Sequence, residues 1–470
     1  MNKAAALKII NLSIHINKIK TSLSKIQKSL ELDTAVFFGL LGKLWMLCSG
    51  PITALLIATR FSKEIQGYYY TFFNIVALQV FVEMGLGTVI QQFASHEWAY
   101  LKLDNKGYII GNKDALSRLI SITHIAFKWY TIGALIVIVG LSIGGYLFFA
   151  DSSQFHVDWK YPWFCLALLT GINIIFVPAW SLLEGCNQVS TLYMYRFFNG
   201  VISSIFVWFS ILLGAHLWTP VISNMATLIF ASIFLTGKYL NFFKTLIWEK
   251  PSGPVISWRL HMLPMQWRIA LSWMSGYFVF SFFTPVLFKF HGPVVAGQFG
   301  MTWSIVGLMG AISGSWLSPR VPQLAMLISQ KKYDELDRLF WKITKIVLWI
   351  NATTAFVIWF IIYLLNTLDY PFFTKFASRI LSPSTAGILL VGQFLLVSSF
   401  PFSIYLRAHK KEPVMPVSVL SAIMVGLSTL ILGKYYSVMG IVTGYLITHM
   451  IVVPMVFFIW YRKRAEWHSI

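Results

Sequence analysis

The chain has 470 residues, of which 57% are apolar and 11% charged, against roughly 25% charged residues in a soluble protein. Its 37 Lys and Arg outweigh 17 Asp and Glu to give a net charge of +20. These values exclude disorder, collagen and a secreted disulfide scaffold, and the apolar excess reads as lipid-facing and interhelical surface. The three cysteines, Cys48, Cys165 and Cys186, form no C-x-x-C pair, so neither a disulfide framework nor a zinc site is expected. A basic balance of this size suggests nucleic acid in a soluble chain. In a membrane protein the positive-inside rule accounts for it, so the expected partner is lipid and not nucleic acid.

Residues 1–34 carry no cleavage site and no continuous apolar centre. Ile9, Leu12, Ile16, Ile19, Leu23, Ile26 and Leu30 recur at steps of three and four, with Lys18, Lys20, Lys25 and Lys28 on other faces. This pattern predicts a basic amphipathic helix on the inner leaflet, with a short coiled coil to another chain as the alternative.

Twelve apolar stretches of about 20 residues follow. Six fall at 35–59, 68–94, 129–150, 161–183, 190–214 and 217–237, and six at 269–288, 294–318, 346–366, 385–406, 413–433 and 435–460. No ten-residue alternation suggests a barrel, so the fold class is an all-α polytopic membrane protein. Cations fall on the side of the N-terminus with roughly fourfold asymmetry, which places both termini in the cytoplasm.

A basic connection at 238–267, bearing Pro251, Pro254 and Pro264, divides the spans into lobes at 35–237 and 268–460, followed by a cytoplasmic tail at 461–470. Trp45 leads to Gln66 and Gly67 in the first lobe, as Trp273 leads to Gly297 and Gln298 in the second. That match predicts two pseudo-symmetric six-helix lobes.

Sequence signatures of catalysis are lacking. There is no G-x-x-x-x-G-K-[ST] and no H-E-x-x-H, and the histidines do not cluster at ligand spacing. No cofactor or metal is expected. A membrane glycosyltransferase or polymerase would need acids gathered at an outer site, and Asp151, Asp158 and Asp369 are scattered. The chain therefore reads as a non-enzyme.

Ionisable groups within spans are costly and become site candidates. Lys43 in the first span and Glu83 in the second lie at depths that differ by about 3 Å. They could form a structural ion pair, or Lys43 could face a central cavity as an anion contact with Glu83 tuning it or carrying a coupling proton. Arg196 and Arg268 could snorkel to the inner surface or face the same cavity. Gln79 sits one turn before Glu83 on a face expected to look into protein or water. Prolines within spans, such as Pro51 and Pro178, offer bends, and the pairs Gly140–Gly144 and Gly310–Gly314 suggest close helix contacts.

Several strings together carry a likeness to a known group: Gln66 to Tyr69, Ser95 to Glu97, Met265 to Arg268 with Trp273 and Gly276 to Phe278, Pro293 with Ala296 to Gln298, and Leu406 to Pro413. The chain resembles the bacterial polysaccharide-biosynthesis membrane proteins of the multidrug, oligosaccharidyl-lipid and polysaccharide (MOP) exporter superfamily over most of residues 35–460. The resemblance implies a MATE-like pair of lobes around a cavity that opens alternately to each side, with the first and seventh helices lining it. It also implies a location in the bacterial cytoplasmic membrane.

In the lipid-flipping branch, cavity cations hold the pyrophosphate of a polyprenol-linked sugar, and Lys43, Arg196 and Arg268 are the positions here that could do so. The drug-exporting branch would place a carboxylate in the first span, where this chain has Lys43. The expected function is thus flipping of a lipid-linked oligosaccharide for surface polysaccharide, alongside other members of a glycan assembly pathway. The alternative is a cation-coupled multidrug antiporter using Glu83.

Overall fold

A computed structural model describes residues 34–150, 156–317, 320–409 and 411–468. The amphipathic pattern of residues 1–33 lies outside them, as does Asp151.

Helix dominates because a backbone in lipid must satisfy its hydrogen bonds internally. The first lobe contains α1 (Thr34–Arg60), α2 (Lys63–Val76), α3 (Val80–Glu83), α4 (Leu86–Trp98), α5 (Lys113–Ala150), α6 (Lys160–Gly185), α7 (Val189–Leu212) and α8 (Thr219–Trp248). The second contains α9 (Leu263–Phe280), α10 (Phe283–Leu317), α11 (Val321–Ser329), α12 (Tyr333–Thr367), α13 (Pro371–Ala377), α14 (Pro383–Ser398), α15 (Phe400–Ala408) and α16 (Met415–His468). Local chemistry sets several boundaries. Ser62 caps α2 by accepting the Ile65 N–H at 3.1 Å. Pro220, Pro264 and Pro383 stand in first turns, where the missing N–H costs nothing.

Nine helices among the described residues are long and apolar enough to cross a membrane, and α2–α3 with α4 forms a further span bent by 47°. Two of the nine double back. Gly292 (φ 83°) divides α10, and Ser437 (φ 55°) divides α16, which yields the twelve crossings expected from the sequence. An even number returns both ends of the bundle to one side, called the inner side below in keeping with the cation asymmetry.

The chain departs from pure helix at a small hairpin, where β1 (Leu101–Leu103) runs antiparallel to β2 (Ile109–Gly111). Asp104 Oδ1 holds its turn by accepting from the Lys106 and Tyr108 amides at 2.9 and 2.8 Å. The sixth span continues as helix to Trp248, beyond the apolar run that ends at 237. The linker that follows is pinned to the first lobe, with Gly253 N and Ile256 N each donating to a serine hydroxyl of α5, Ser117 and Ser121, at 2.9 Å.

The lobes meet most broadly near their outer ends, where α2 packs against α10 and α1 against α10 and α13. Gly67 and Gly297, paired by the sequence repeat, touch each other there. A Cβ on Gly297 would stand 2.8 Å from the Gly67 nitrogen, and one on Gly67 would overlap the Pro293 carbonyl. Residues matched by a two-fold repeat meet in this way where they flank its axis. Beside them, Tyr68 and Phe149 of the first lobe surround Phe288 of the second, with ring centroids 4.8 and 5.2 Å away.

Towards the inner side the interface narrows to α9 against α3 and α4. The expected contacts at Gly140, Gly144 and Gly310 do not form among the described residues: a Cβ at Gly140 or Gly144 meets open space, and one at Gly310 only the end of Gln393 at 3.9 Å. Small residues bring helices together only where a partner surface exists, as at Gly145 against Trp163 and Gly185 against Ala94.

Candidate functional site

Three cavities run in series through the first lobe and the interface. The largest of the three, about 630 Å³, lies between the lobes, walled by α1, α2, α10, α12 and α13 and lined mostly by apolar residues such as Met46, Phe73, Trp303 and Ile358, with Ser49, Thr53, Asn74 and Ser304 among them. Phe73 also borders a second cavity of about 370 Å³ inside the first lobe, whose wall carries Gln79, Thr170, Asn173 and Asn224. Asn173 and Trp180 in turn border a third, of about 230 Å³, with Tyr195, Arg196, Asn199 and Thr227. The series thus passes from mostly apolar to amide-lined. Among the described residues, no Asp or Glu lines any of the three.

Helix packing explains the polar walls. Asn173 Nδ2 donates to Asn224 Oδ1 at 3.2 Å and ties α6 to α8. Trp180 stacks on Tyr195 at 4.4 Å, and Tyr195 on Phe230 at 5.3 Å, giving the third cavity an aromatic wall. On α1, Trp45 Nε1 donates to Ser204 Oγ at 3.1 Å, and Trp208 of α7 donates to Thr53 at 2.9 Å, so α1 is held by α7 along one face.

The expected site residues separate. Lys43 is half-buried on the face of α1 that carries Met46, Gly50, Ala54 and Ile57, all lining the large cavity. Helical spacing sets it about one turn inward of Met46 and about four turns inward of Ile57, so it lies beyond the inner end of the cavity lining. It makes no ion pair or hydrogen bond among the described residues. The pair with Glu83 does not form, because α1 packs on α7 and α10 while α3 packs on α5 and α9.

Glu83 instead ends α3 beside Tyr130 of α5, one residue before Met84 (φ 48°) and Gly85 (φ 64°), where the second span breaks. Gln79 ends the 3-10 turn Ala77–Gln79 that leads into α3, and it borders the second cavity, which Glu83 does not.

The three basic side chains do not converge into one electropositive chamber. Arg196 lines the third cavity and is paired with Glu184 at 2.6 Å, in an exposed setting and 5.3 Å from the Tyr193 ring. Arg268 is exposed, lies over the Trp267 ring at 5.6 Å and borders none of the three cavities. Gathering several unpaired cations in apolar surroundings would cost several kcal/mol each.

A network at the outer ends closes the interface over the large cavity. Gln66 Nε2 donates to the carbonyls of Gly297 and Arg379, both at 2.9 Å. Arg379, between α13 and α14 and 7% exposed, sends Nη2 back to the Phe61 carbonyl at 2.6 Å. Lys375 Nζ donates to the Thr59 carbonyl at 3.1 Å. Burial lowers the Arg379 pKa and the nearby Glu64 charge opposes that shift.

Sequence reasoning missed Asn173, Asn199, Asn224 and Arg379. The asparagines carried a usable signal, since each interrupts an apolar run. Arg379 lies in a short outer connection, and nothing local marks it as buried.

Comparison with known proteins places this architecture. No protein-family model matches the chain, and no curated protein does. Among solved structures, an inward-facing multidrug resistance MATE family transporter of the MOP superfamily superposes with a TM-score of 0.66 at 12% identity, over 90% of this chain and 95% of that one. The MATE multidrug transporter DinF-BH gives 0.61 at 15% identity over 91% and 94%. The chain has the MATE-type fold. Lipid II flippase MurJ, in an inward closed conformation, shares it at 0.55 and 15% identity over 90% and 87%. Within this MATE-type fold, α1 lines the large cavity as expected for the first span. The seventh span contributes no lining to it in the stretch Leu263–Phe280, which packs instead on the broken second span.

Proposed function

We propose that this protein is a flippase that carries a lipid-linked, diphosphate-bearing oligosaccharide across the bilayer by alternating access. One observation carries the reading: a mostly apolar cavity between the lobes adjoins amide-lined cavities within the first, matching a cargo with an apolar tail and a hydroxyl-rich head. Neutral amides and aromatic faces suit sugars, since they supply donors, acceptors and stacking without net charge. Lys43, without an ion pair or hydrogen bond among the described residues and about one turn inward of the lining residue Met46, is the position for a phosphate. An unpartnered cation at that depth costs about 2.5–3.5 kcal/mol on the insertion scale, and a diphosphate at the ammonium would offset it through charge-assisted bonds. The outer network supports a state closed outside, which precedes loading from the inner leaflet.

A drug-antiporter reading would rely on Glu83, half-buried beside Tyr130 at the break in the second span. It receives no support from the walls of the three cavities in series, which carry no carboxylate among the described residues.

The test is surface-glycan export in the cell that makes the protein, with its own gene replaced. Lys43→Ala should reduce export at least about tenfold, Lys43→Glu should abolish it and Lys43→Arg should retain most of it. Undiminished export by Lys43→Glu would remove Lys43 as a phosphate contact. Glu83→Gln should leave drug susceptibility unchanged; a clear rise in susceptibility would favour the antiporter.

A further inference from the structure

A fourth cavity, of about 410 Å³, opens at the outer end of the first lobe, away from the series described above. Three connections converge on it: the α1–α2 corner brings Glu64, the segment before α6 brings His156 and Asp158, and the α7–α8 turn brings His216 and Trp218. In a chain with net charge +20, no Lys or Arg lines this cavity among the described residues. None of the carboxylates or imidazoles makes an ion pair or a side-chain hydrogen bond among those residues. Trp218 is 41% exposed and offers an indole face. His156 and His216 both sit in left-handed backbone, with φ of 47° and 48°. Such conformations cost of order 1–3 kcal/mol and concentrate at binding sites.

We propose that this cavity is a saccharide subsite on the outer face, where the head of the cargo rests on leaving the interlobe cavity. Carboxylates accept from vicinal hydroxyls, neutral imidazoles accept or donate, and an indole covers an apolar sugar face. Without a cation in the wall the site rejects phosphate, so it takes the glycan and not the diphosphate. Its floor is also part of the outer closure: the His216 ring lies 6.0 Å from Phe61, whose carbonyl receives Arg379, and Gln66 follows two residues after Glu64. Occupancy therefore bears on the same corner that must part when the outer side opens.

The source of the ligand rests on the flippase reading; the site itself does not. The probe is a set of phosphate-free oligosaccharides, two to four sugars long, released by mild acid from the surface glycan of the cell that makes the protein. Saturation-transfer NMR with the full chain in nanodiscs should show binding to the wild type. Trp218→Ala, and Glu64→Gln combined with Asp158→Asn, should weaken it at least about tenfold. No binding to the folded wild type, equal binding by those variants, or preference for spermidine over every oligosaccharide would overturn the proposal. If Lys43→Glu still exports glycan while oligosaccharide binds here, the flippase reading alone fails. If export needs Lys43 and no oligosaccharide binds, this site alone fails.

Discussion

Lys43, Arg196 and Arg268 carry the same charge in three different surroundings, and burial energetics separate them. Arg196 has Glu184, and Arg268 has solvent and an indole face; each is stable without cargo. Lys43 is half-buried with no ion-pair partner among the described residues, and the proposed diphosphate would supply one. Charge was legible in the sequence because a cation in an apolar run stands out, although the run could not show which way its side chain points.

The amides carry a second argument at this scale. Replacing Asn173 and Asn224 together by Leu removes both members of a hydrogen-bonded pair and leaves neither stranded. Stability should then change by less than about 1.5 kcal/mol. Export should nonetheless fall, because the second cavity becomes apolar. Thermal unfolding of the purified variant, set against its export, checks this; loss of fold without a separate loss of export would return the pair to a structural role.

The second span shows most clearly what periodicity could and could not reveal. Its polar residues pointed inward from the sequence, yet Gln79, at the end of a 3-10 turn, lines the second cavity while Glu83, just before a 47° break, does not. The break falls at Met84–Gly85, without a proline, because Gly85 takes φ 64° and packs against Ile269 of α9. Prolines drew attention in the sequence as bends, but the sharpest turns, at Gly85, Gly292 and Ser437, depend on left-handed backbone.

The repeat around Gly67 and Gly297 was legible and proved to be a contact. A methyl group on Gly67 has no room in the closed outer interface. Gly67→Ala should therefore favour separation of the lobes. With spin labels at the exposed positions Lys63 and Thr374, electron–electron distance measurements should show a longer-distance population than in wild type. An unchanged distribution would mean that the closure tolerates the methyl and that the glycine contact does not control it.

At the scale of the molecule, twelve crossings in two lobes were readable from apolar run length, and the side of the termini was expected from charge asymmetry. The cavities were not readable, because each wall combines residues from helices distant in the chain: Asn173 and Asn224 lie 51 residues apart, and Gln66 and Arg379 lie 313 apart. Such walls arise from packing, which sequence spacing within one helix does not encode. The closed outer interface, the mostly apolar chamber beneath it and the amide-bearing extension are the parts through which the proposed amphipathic anion would pass.

Transbilayer movement in a defined system tests that claim most directly. The protein is reconstituted into vesicles containing a polyprenyl-diphosphate disaccharide, and the fraction of sugar accessible to an impermeant reagent is followed with time. Wild type should equilibrate the lipid between leaflets far faster than protein-free vesicles, and Lys43→Glu should match the protein-free rate. Movement at equal rates by wild type and Lys43→Glu, or none by wild type, would contradict the account.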